Sequence, residues 1–375
     1  MQQVRAALIG TGSMGRKYAQ MIAAGQAGPL ALTAVVCRHA PAQQWAREAL
    51  PPTVRVCASA EELYLHAGEF DAVLVVTPHS SHPALVQQAL AQGKHVLCDK
   101  PSACSVGPAL AMNEAAQRSG LVFAMMFHQR LYHKYRRLHA LLQSGALGQV
   151  QRVMMENSRY FRTWAYHRSG SWRSSWAGEG GGALINQGQH LLDIFQWLFG
   201  MPQSVTACIP FGKYNEFLVD DEATLLLEYP NRRTALFLLS TGEGTRTERL
   251  EIVGSRGSAL LEGDRLTLHT YAQDTGDNRR TASCTAREQL AETVTQEDFG
   301  PQAEPYPAML ENFARAVLYG EPLAAPGVEG IRALTLADAA YLSAWLGEKV
   351  TLPLDAARFE QELARRIAQE EALHG

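Results

Sequence analysis

The sequence predicts an α/β protein of two domains: an N-terminal domain on a doubly wound parallel sheet, residues 1–125, and a C-terminal α+β domain on a mostly antiparallel sheet, residues 126–375. Three observations carry this prediction. Short apolar runs alternate strictly with helical stretches up to about residue 125. Beyond residue 205 the apolar runs follow one another through tight turns instead. The length, 375 residues, exceeds one typical domain and falls short of three.

The elements follow in order. Val4 to Ile9 is apolar throughout and ends in glycine, as a buried parallel strand does. Ser13 to Ala24 reads as a helix, Leu30 to Cys37 as a β-branched strand, Pro41 to Leu50 as a helix and Val54 to Val56 as a short strand. Ala60 to His66 is helical. Ala72 to Val76 is a strand ending at Thr77-Pro78. Pro83 to Gln92 is a helix, His95 to Cys98 a strand, Pro108 to Ser119 a helix and Leu121 to Met126 a strand. Helix Tyr132 to Gln143 and strand Gln149 to Asn157 open the second half, followed by an aromatic and arginine-rich loop over 159–177. Gly188 to Phe199 is helical. Strands are predicted from Val205 to about Thr270, including 223–229, 234–240, 248–253, 258–262 and 265–269, with turns at Pro230-Asn231, Ser255-Arg256-Gly257 and Gly263-Asp264. Residues 272–304 are polar without a period and are expected to form a long loop. Helices are predicted over Tyr306 to Leu318 and Gly330 to Trp345. The tail from Asp355 to Leu373 spaces Phe359, Leu363 and Ile367 along one helix face.

Composition narrows the function classes. A hydrophobic content of 46%, a charged content of 19% and a net charge of −3 describe an ordinary globular protein with no electrostatic case for nucleic acid or an acidic membrane surface. No apolar run approaches the ~20 residues needed to span a bilayer, and residues 1–5 lack signal-peptide regions. Cys37, Cys57, Cys98, Cys104, Cys208 and Cys284 form no CxxC pair and read as buried thiols in a reducing compartment. The cytoplasm is the expected location. His79 and His82, and His128, His133 and His139, complete no ligand spacing, so no metal is expected. Lys134, Arg136 and Arg137 read as a solvated helix face.

The chemistry starts at Gly10-x-Gly12-x-x-Gly15, between a predicted strand and a predicted helix. Gly10 permits the turn, Gly12 a close backbone approach to a pyrophosphate, and Gly15 close helix–strand packing. Ser13 and Met14 open the helix, whose N-terminus favours phosphate charge. An acidic residue after the second strand would bind the adenosine ribose and repel a 2′-phosphate. Here Cys37 is followed by Arg38 and His39, and the Arg38 guanidinium suits a phosphate. The sequence favours NADP(H), with NAD(H) as the second reading.

Lys100 follows the strand His95–Cys98, which sets it at the carboxyl edge of a parallel sheet, where ligands of such sheets bind. Pro101 rigidifies the turn, and the Asp99 carboxylate is in reach of Lys100 or a cofactor hydroxyl. Hydride removal from a secondary alcohol needs a base for the hydroxyl proton, and a lysine with a lowered pKa serves. Further on, the glycine run 180–182 leads to Asn186, His190 and Asp193, at i, i+4 and i+7, which share a face where the stretch is helical.

These three segments, in this order, resemble the glucose–fructose oxidoreductase / inositol dehydrogenase / MocA family of NAD(P)-dependent oxidoreductases, whose pattern is GxGxxG, then E-K-P, then a glycine run leading to D-x-x-x-H-x-x-D. The likeness covers most of the chain, including Ile252-Val253-Gly254-Ser255-Arg256-Gly257. It implies a Rossmann domain joined to a C-terminal α/β domain whose large open sheet often forms the interface of homodimers or homotetramers. It implies substrates among sugars, sugar acids and cyclitols. Lys100 would be the catalytic lysine and His190 its partner at the substrate hydroxyl. Thr77, Pro78 and His79 would lie under the nicotinamide ribose, and Trp172 and Arg173 would line the site. Two positions depart from the pattern. Asp99 replaces Glu, and Asn186 replaces the Asp often paired with the histidine. An amide orients a hydroxyl but takes no proton, which leaves the acid–base role to Lys100, and loss of the carboxylate is expected to lower the Lys100 pKa.

Arg159-Tyr160-Phe161-Arg162-Thr163-Trp164 and Trp172-Arg173-Ser174-Ser175-Trp176 offer aromatic faces for a sugar ring and guanidinium groups for hydroxyls or a carboxylate. Tyr160, Trp172, Arg173, Asn186 and Asp193 are therefore the expected substrate-binding residues. The expected activity is hydride transfer between nicotinamide and a carbinol carbon of a sugar, sugar acid or cyclitol. Two other readings keep the scaffold: a non-catalytic NAD(P)- or sugar-sensing regulator, and a glycosidase-like enzyme using bound NAD.

Overall fold

The run Val4–Ile9 has no charged position inward of Arg5, and it forms the central strand β1, with Ala6, Ala7 and Leu8 fully buried. The computed structural model describes residues 2–170, 172–283 and 290–374. After β1 come α1 (Ser13–Ala23), β2 (Leu30–Val36), α2 (Ala40–Ala49), β3 (Arg55–Cys57), α3 (Ala60–Tyr64) and β4 (Ala72–Val75). Then follow α4 (His82–Ala91), β5 (His95–Cys98), α5 (Val106–Ser119) and β6 (Phe123–Met125). The six strands lie in the order β3-β2-β1-β4-β5-β6, every pair parallel. This is a doubly wound Rossmann sheet, and the order reverses between β1 and β4. Val73, Leu74, Val96 and Leu97 are at most 2% exposed, as strands covered on both faces must be.

The second sheet begins after α6 (His133–Gln143) with β7 (Val150–Asn157). A short α7 (Trp164–His167) and α8 (Gly188–Phe199) precede β8 (Ser204–Cys208), β9 (Glu222–Glu228), β10 (Thr234–Ser240), β11 (Glu248–Gly254), β12 (Gly257–Glu262) and β13 (Arg265–Tyr271). The chain continues through α9 (Thr275–Thr281), β14 (Glu292–Asp298), α10 (Tyr306–Tyr319), α11 (Gly330–Leu346), β15 (Val350–Thr351) and α12 (Ala356–His374). The nine strands run β14-β13-β12-β11-β7-β10-β9-β8-β15, and only the β7–β10 pair is parallel. The sheet is mixed and mostly antiparallel.

Two compact units result. The first holds the chain to Leu131 with Ala177–Gly180 and Glu304–Thr335; the second holds Tyr132–Trp176, Gly181–Ala303 and the chain from Leu336 on. In the first unit Ala124 bridges Pro326, and the Met125 N–H donates to Ala325 O at 3.1 Å, so a late segment covers the edge of β6. The Tyr306 ring of α10 stacks on His128 at 4.0 Å and meets Tyr18 of α1 at 5.4 Å.

Three expectations are corrected. Residues 272–304 are not all loop, since they contain α9 and the edge strand β14. The sequence of β14, Glu-Thr-Val-Thr-Gln-Glu-Asp, is polar on both faces and mostly exposed, so it pairs with β13 through backbone and polar side-chain contacts, such as Glu292 with His269 at 3.1 Å, and leaves no hydrophobic alternation to detect. Lys134 is buried, not solvated: its ammonium lies 2.6 Å from Glu248 Oε1 and 3.1 Å from Asp264 Oδ1. Arg136 and Arg137 do face solvent, and Arg137 pairs there with Glu297 at 2.7 Å. Of the cysteines, Cys37, Cys57 and Cys98 are buried, whereas Cys104 is half-buried and Cys208 exposed; Cys284 lies outside the described residues.

The terminal helix α12 packs on its own unit. Phe359 is fully buried and stacks on Trp345 at 5.6 Å, and Glu370 accepts the Trp176 N–H at 3.1 Å. Among the described residues no helix is long and apolar enough to cross a membrane.

Candidate active site

The glycine loop leaves the carboxyl end of β1, and each glycine has a distinct reason. Gly10 adopts φ +103°, where a Cβ would overlap the Val76 carbonyl. A Cβ on Gly15 would overlap the Gly10 carbonyl, so this glycine serves packing. A Cβ on Gly12 would meet nothing within 4 Å. The space beside Gly12 is open. Gly12 is also the N-cap of α1, without a side-chain cap and without an acidic residue in the first turn, and Ser13 beside it is exposed. The first-turn N–H groups of α1 are left for an anion, and this cradle fits a dinucleotide pyrophosphate. Arg38 is exposed just past β2, while Cys37 is buried and takes a hydrogen bond from Thr11 Oγ1 at 3.4 Å.

On the same sheet edge, β4 leads into Thr77-Pro78 and β5 into Asp99-Lys100. Their two loops are tied together by His82, which is fully buried. Its Nδ1 faces Pro101 O at 2.7 Å and its Nε2 faces Thr77 O at 2.8 Å. Burial lowers the His82 pKa, opposed by the Pro101 carbonyl and Asp99. The Lys100 N–H donates to Asp99 Oδ1 at 2.8 Å, and the Tyr18 hydroxyl lies 3.5 Å from Asp99 Oδ2. Burial raises the Asp99 pKa, and Lys100 opposes that rise. Lys100 itself is half-buried. His79 is 4% exposed, with Nδ1 3.2 Å from Glu179 O. Ser81 donates to Thr77 Oγ1 at 2.6 Å, which fixes the Thr77 hydroxyl.

In the second unit the glycine run is shaped by a buried carboxylate. Asp220 accepts the Gly182 N–H at 2.8 Å, the Leu184 N–H at 2.7 Å and the Tyr341 hydroxyl at 2.5 Å. A Cβ on Gly181, at φ +146°, would overlap the Tyr341 hydroxyl, and one on Gly182 would overlap the Asp220 carbonyl. Burial raises the Asp220 pKa, opposed by its bonds from Tyr341, Leu184 and Gly182. α8 starts only at Gly188, so Asn186 precedes the helix and does not extend the His190–Asp193 face. His190 sits half-buried in the first turn. Asp193 is fully buried inside the unit and accepts from Gln196 Nε2 at 3.0 Å.

Tyr166 gathers the residues around Asn186. Its hydroxyl accepts from Arg173 Nη1 at 2.8 Å, Gln187 Nε2 at 2.9 Å and Asn186 Nδ2 at 3.1 Å. The Arg173 guanidinium also lies 4.5 Å from the Trp172 ring centroid. Tyr160 is half-buried, with Arg162 5.7 Å from its ring.

The predicted residues thus fall into two sets. Gly10, Gly12, Ser13, Met14, Gly15, Thr77, Pro78, His79, Asp99 and Lys100 follow the carboxyl ends of adjacent strands in the first unit. Trp172, Arg173 and Asn186 meet through Tyr166 in the second, and Asp193 is buried on α8 of the same unit. Sequence reasoning missed His82, Tyr166, Asp220 and Tyr341. The nearest signals were the polar residues flanking known motifs: His82 four residues after Pro78, and Tyr166 inside the aromatic loop. Among the described residues no group of three His, Cys, Asp or Glu side chains is arranged to hold a metal.

The fold and the dinucleotide cradle together define an NAD(P)-binding oxidoreductase. Residues 4–127 match "Oxidoreductase family, NAD-binding Rossmann fold" and residues 139–352 match "Oxidoreductase family, C-terminal alpha/beta domain". The chain belongs to the glucose–fructose oxidoreductase / inositol dehydrogenase / MocA family. It is 29% identical over 269 residues to the uncharacterised oxidoreductase C115.03 of Schizosaccharomyces pombe, covering 70% of this chain and 72% of that one. Two solved structures share the fold. One is the WlbA dehydrogenase from Bordetella pertussis in complex with NADH and UDP-GlcNAcA, with TM-score 0.78, 21% identity and coverage of 94% of this chain and 100% of that one. The other is aldose-aldose oxidoreductase from Caulobacter crescentus complexed with glycerol, with TM-score 0.75, 22% identity and the same coverage, 94% and 100%.

Proposed function

We propose that this protein transfers a hydride between nicotinamide and a carbinol carbon of a sugar, sugar acid or cyclitol, with Lys100 as the acid–base. One observation carries the reading: Lys100 follows β5 on the sheet edge that also holds the open glycine cradle, its backbone fixed by Asp99 at 2.8 Å. Bound NAD(P) supplies the hydride acceptor or donor. Lys100 takes the hydroxyl proton in oxidation and returns it in reduction. His190 orients that hydroxyl, and Asn186, held by Tyr166, does so as a hydrogen-bond partner that carries no proton. Thr77, Pro78 and His79 support the nicotinamide ribose, Asp99 a cofactor hydroxyl, and Arg38 a 2′-phosphate, which favours NADP(H) over NAD(H). Tyr160, Trp172, Arg173 and Asp193 are assigned to the substrate.

A second copy of the chain is proposed on the open face of the large sheet, giving a homodimer or homotetramer. Leu226 and Leu236, 40% and 41% exposed, pair directly across β9 and β10. Residues 1–125 are assigned to the cofactor and 126–375 to substrate and assembly.

The test is absorbance at the reduced-nicotinamide band, with NADP+ and NAD+ in turn, across aldoses, inositols and uronic acids. Turnover that Lys100→Met abolishes supports the reading. Absence of turnover with every alcohol, in both directions, overturns it.

A further inference from the structure

We propose that Arg162 forms a carboxylate-binding subsite in the second unit, so that the substrate of the proposed reaction is a sugar acid; the inference rests on that reading of the function. The guanidinium carbon of Arg162 lies 4.4 Å from the Tyr166 ring centroid, on the ring whose hydroxyl holds Asn186 and Arg173. Its backbone is fixed, donating to Thr241 O at 2.8 Å. Yet the side chain is half-buried, its buried Nε meets no acceptor, and among the described residues it makes no ion pair. Four other basic side chains of this unit are matched: Lys134 and Arg159 by Glu248, Arg137 by Glu297, Arg152 by Glu251.

A partly buried cation without a counter-charge is costly, and an anion removes the cost. Among the described residues the nearby carboxylate Asp221 makes no ion pair with Arg162: Oδ2 is taken by the N–H groups of Tyr214 and Asn215 at 2.8 and 3.0 Å, while Oδ1 is buried without a hydrogen-bond partner. His167 binds Ser174 Oγ through Nδ1 at 2.6 Å, and its buried Nε2 has no partner. The planar guanidinium fork matches a carboxylate in a way a hydroxyl cannot. Beside it Trp164 and Phe161 are 39% and 49% exposed and offer apolar faces to a sugar ring. A ring bearing a carboxylate fits both features at once.

The experiment is titration calorimetry of the full chain saturated with NADP+, comparing D-glucuronate with D-glucose and D-galacturonate with D-galactose. At least one acid is expected to bind about tenfold or more tightly than its neutral partner. Arg162→Gln is expected to bring that ratio close to one, and Arg162→Lys, which keeps the charge and loses the fork, to lower it several-fold. Equal binding of acid and neutral sugar, binding of neither acid, or an unchanged ratio in both folded variants overturns the inference. Turnover of neutral sugars without preference for their acids sinks this inference and leaves the oxidoreductase reading standing. Tight uronate binding with no nicotinamide chemistry on any alcohol does the reverse.

Discussion

The Tyr341 hydroxyl donates to Asp220 Oδ1 at 2.5 Å, and through that carboxylate α11 holds the glycine run that leads to Asn186 and His190. Both residues are buried, so the bond is not exchanged for water. Tyr341→Phe leaves a buried carboxylate one donor short. It is expected to cost about 1–3 kcal/mol in urea unfolding and to speed hydrogen exchange at the Gly182 and Leu184 amides. Unchanged exchange at both amides would show that Asp220 does not hold the loop.

The three glycines of the dinucleotide loop are expected to separate by phenotype. A Cβ at Gly15 or Gly10 overlaps backbone, whereas one at Gly12 meets open space. Gly15→Ala and Gly10→Ala should lower the melting temperature. Gly12→Ala should melt like the parent and lose NADPH affinity about tenfold or more, read by nicotinamide fluorescence; each tenfold is about 1.4 kcal/mol of ligand contact. A destabilised Gly12→Ala with intact cofactor binding would contradict this.

Cofactor preference is expected to turn on Arg38, exposed past β2. A charged hydrogen bond to a 2′-phosphate contributes about 1.5–3 kcal/mol. Arg38→Asp should therefore lower the ratio of NADP to NAD efficiency by about ten- to a hundredfold, measured as kcat/KM for each cofactor. A ratio that does not move assigns the preference elsewhere.

Replacing Lys100 by Met should reduce kcat about 10²- to 10⁴-fold, the usual range for a lost acid–base group. Cofactor affinity should fall far less. Equal losses in both would make the lysine a cofactor ligand alone.

Stability is expected to drop with acid through His128. Burial lowers its pKa to about 4, opposed by Glu304, and Lys100 and Lys17 add to the fall. Above pH ~6.5 the ring is neutral folded and unfolded and contributes nothing. As pH falls through that value the unfolded chain takes up a proton that the folded chain refuses, so stability declines until pH about 4. The full loss is about 3 kcal/mol. Urea midpoints between pH 7 and 4.5 should fall less steeply in His128→Gln than in the parent chain.

The sequence displayed most of the fold because its elements bury continuous or periodic apolar surface. β1, β5, β10 and α8 run between the same residues in sequence and structure, each bounded by a glycine, a polar turn or a change of period. β14 escaped detection because a polar edge strand is defined by its neighbour's backbone, which no local pattern records. The site was legible where chemistry forces a motif, as at Gly10-x-Gly12-x-x-Gly15 and Asp99-Lys100-Pro101. It was illegible where a polar residue acts by being buried against distant partners. Asp220 reaches Tyr341 across more than a hundred positions, and His82 spans two loops with no periodic trace. Asn186 lies two residues before α8, and the Asp220 carboxylate holds the Gly182 and Leu184 amides in the turn that leads into it, again from a distance no local pattern records.

The cover that residues 304–335 provide for the edge of β6 has a consequence for the life of the chain. Six strands are in hand once Met125 has been made, yet the edge cover at Ala325–Pro326 and the Tyr306 ring against His128 arrive only after β7 to β14, eight of the nine strands of the second sheet, have been translated. A nascent chain therefore carries an unsealed nucleotide unit for most of its synthesis. A fragment cut anywhere between the two sheets would present β6 as a bare edge, ready to pair with another molecule.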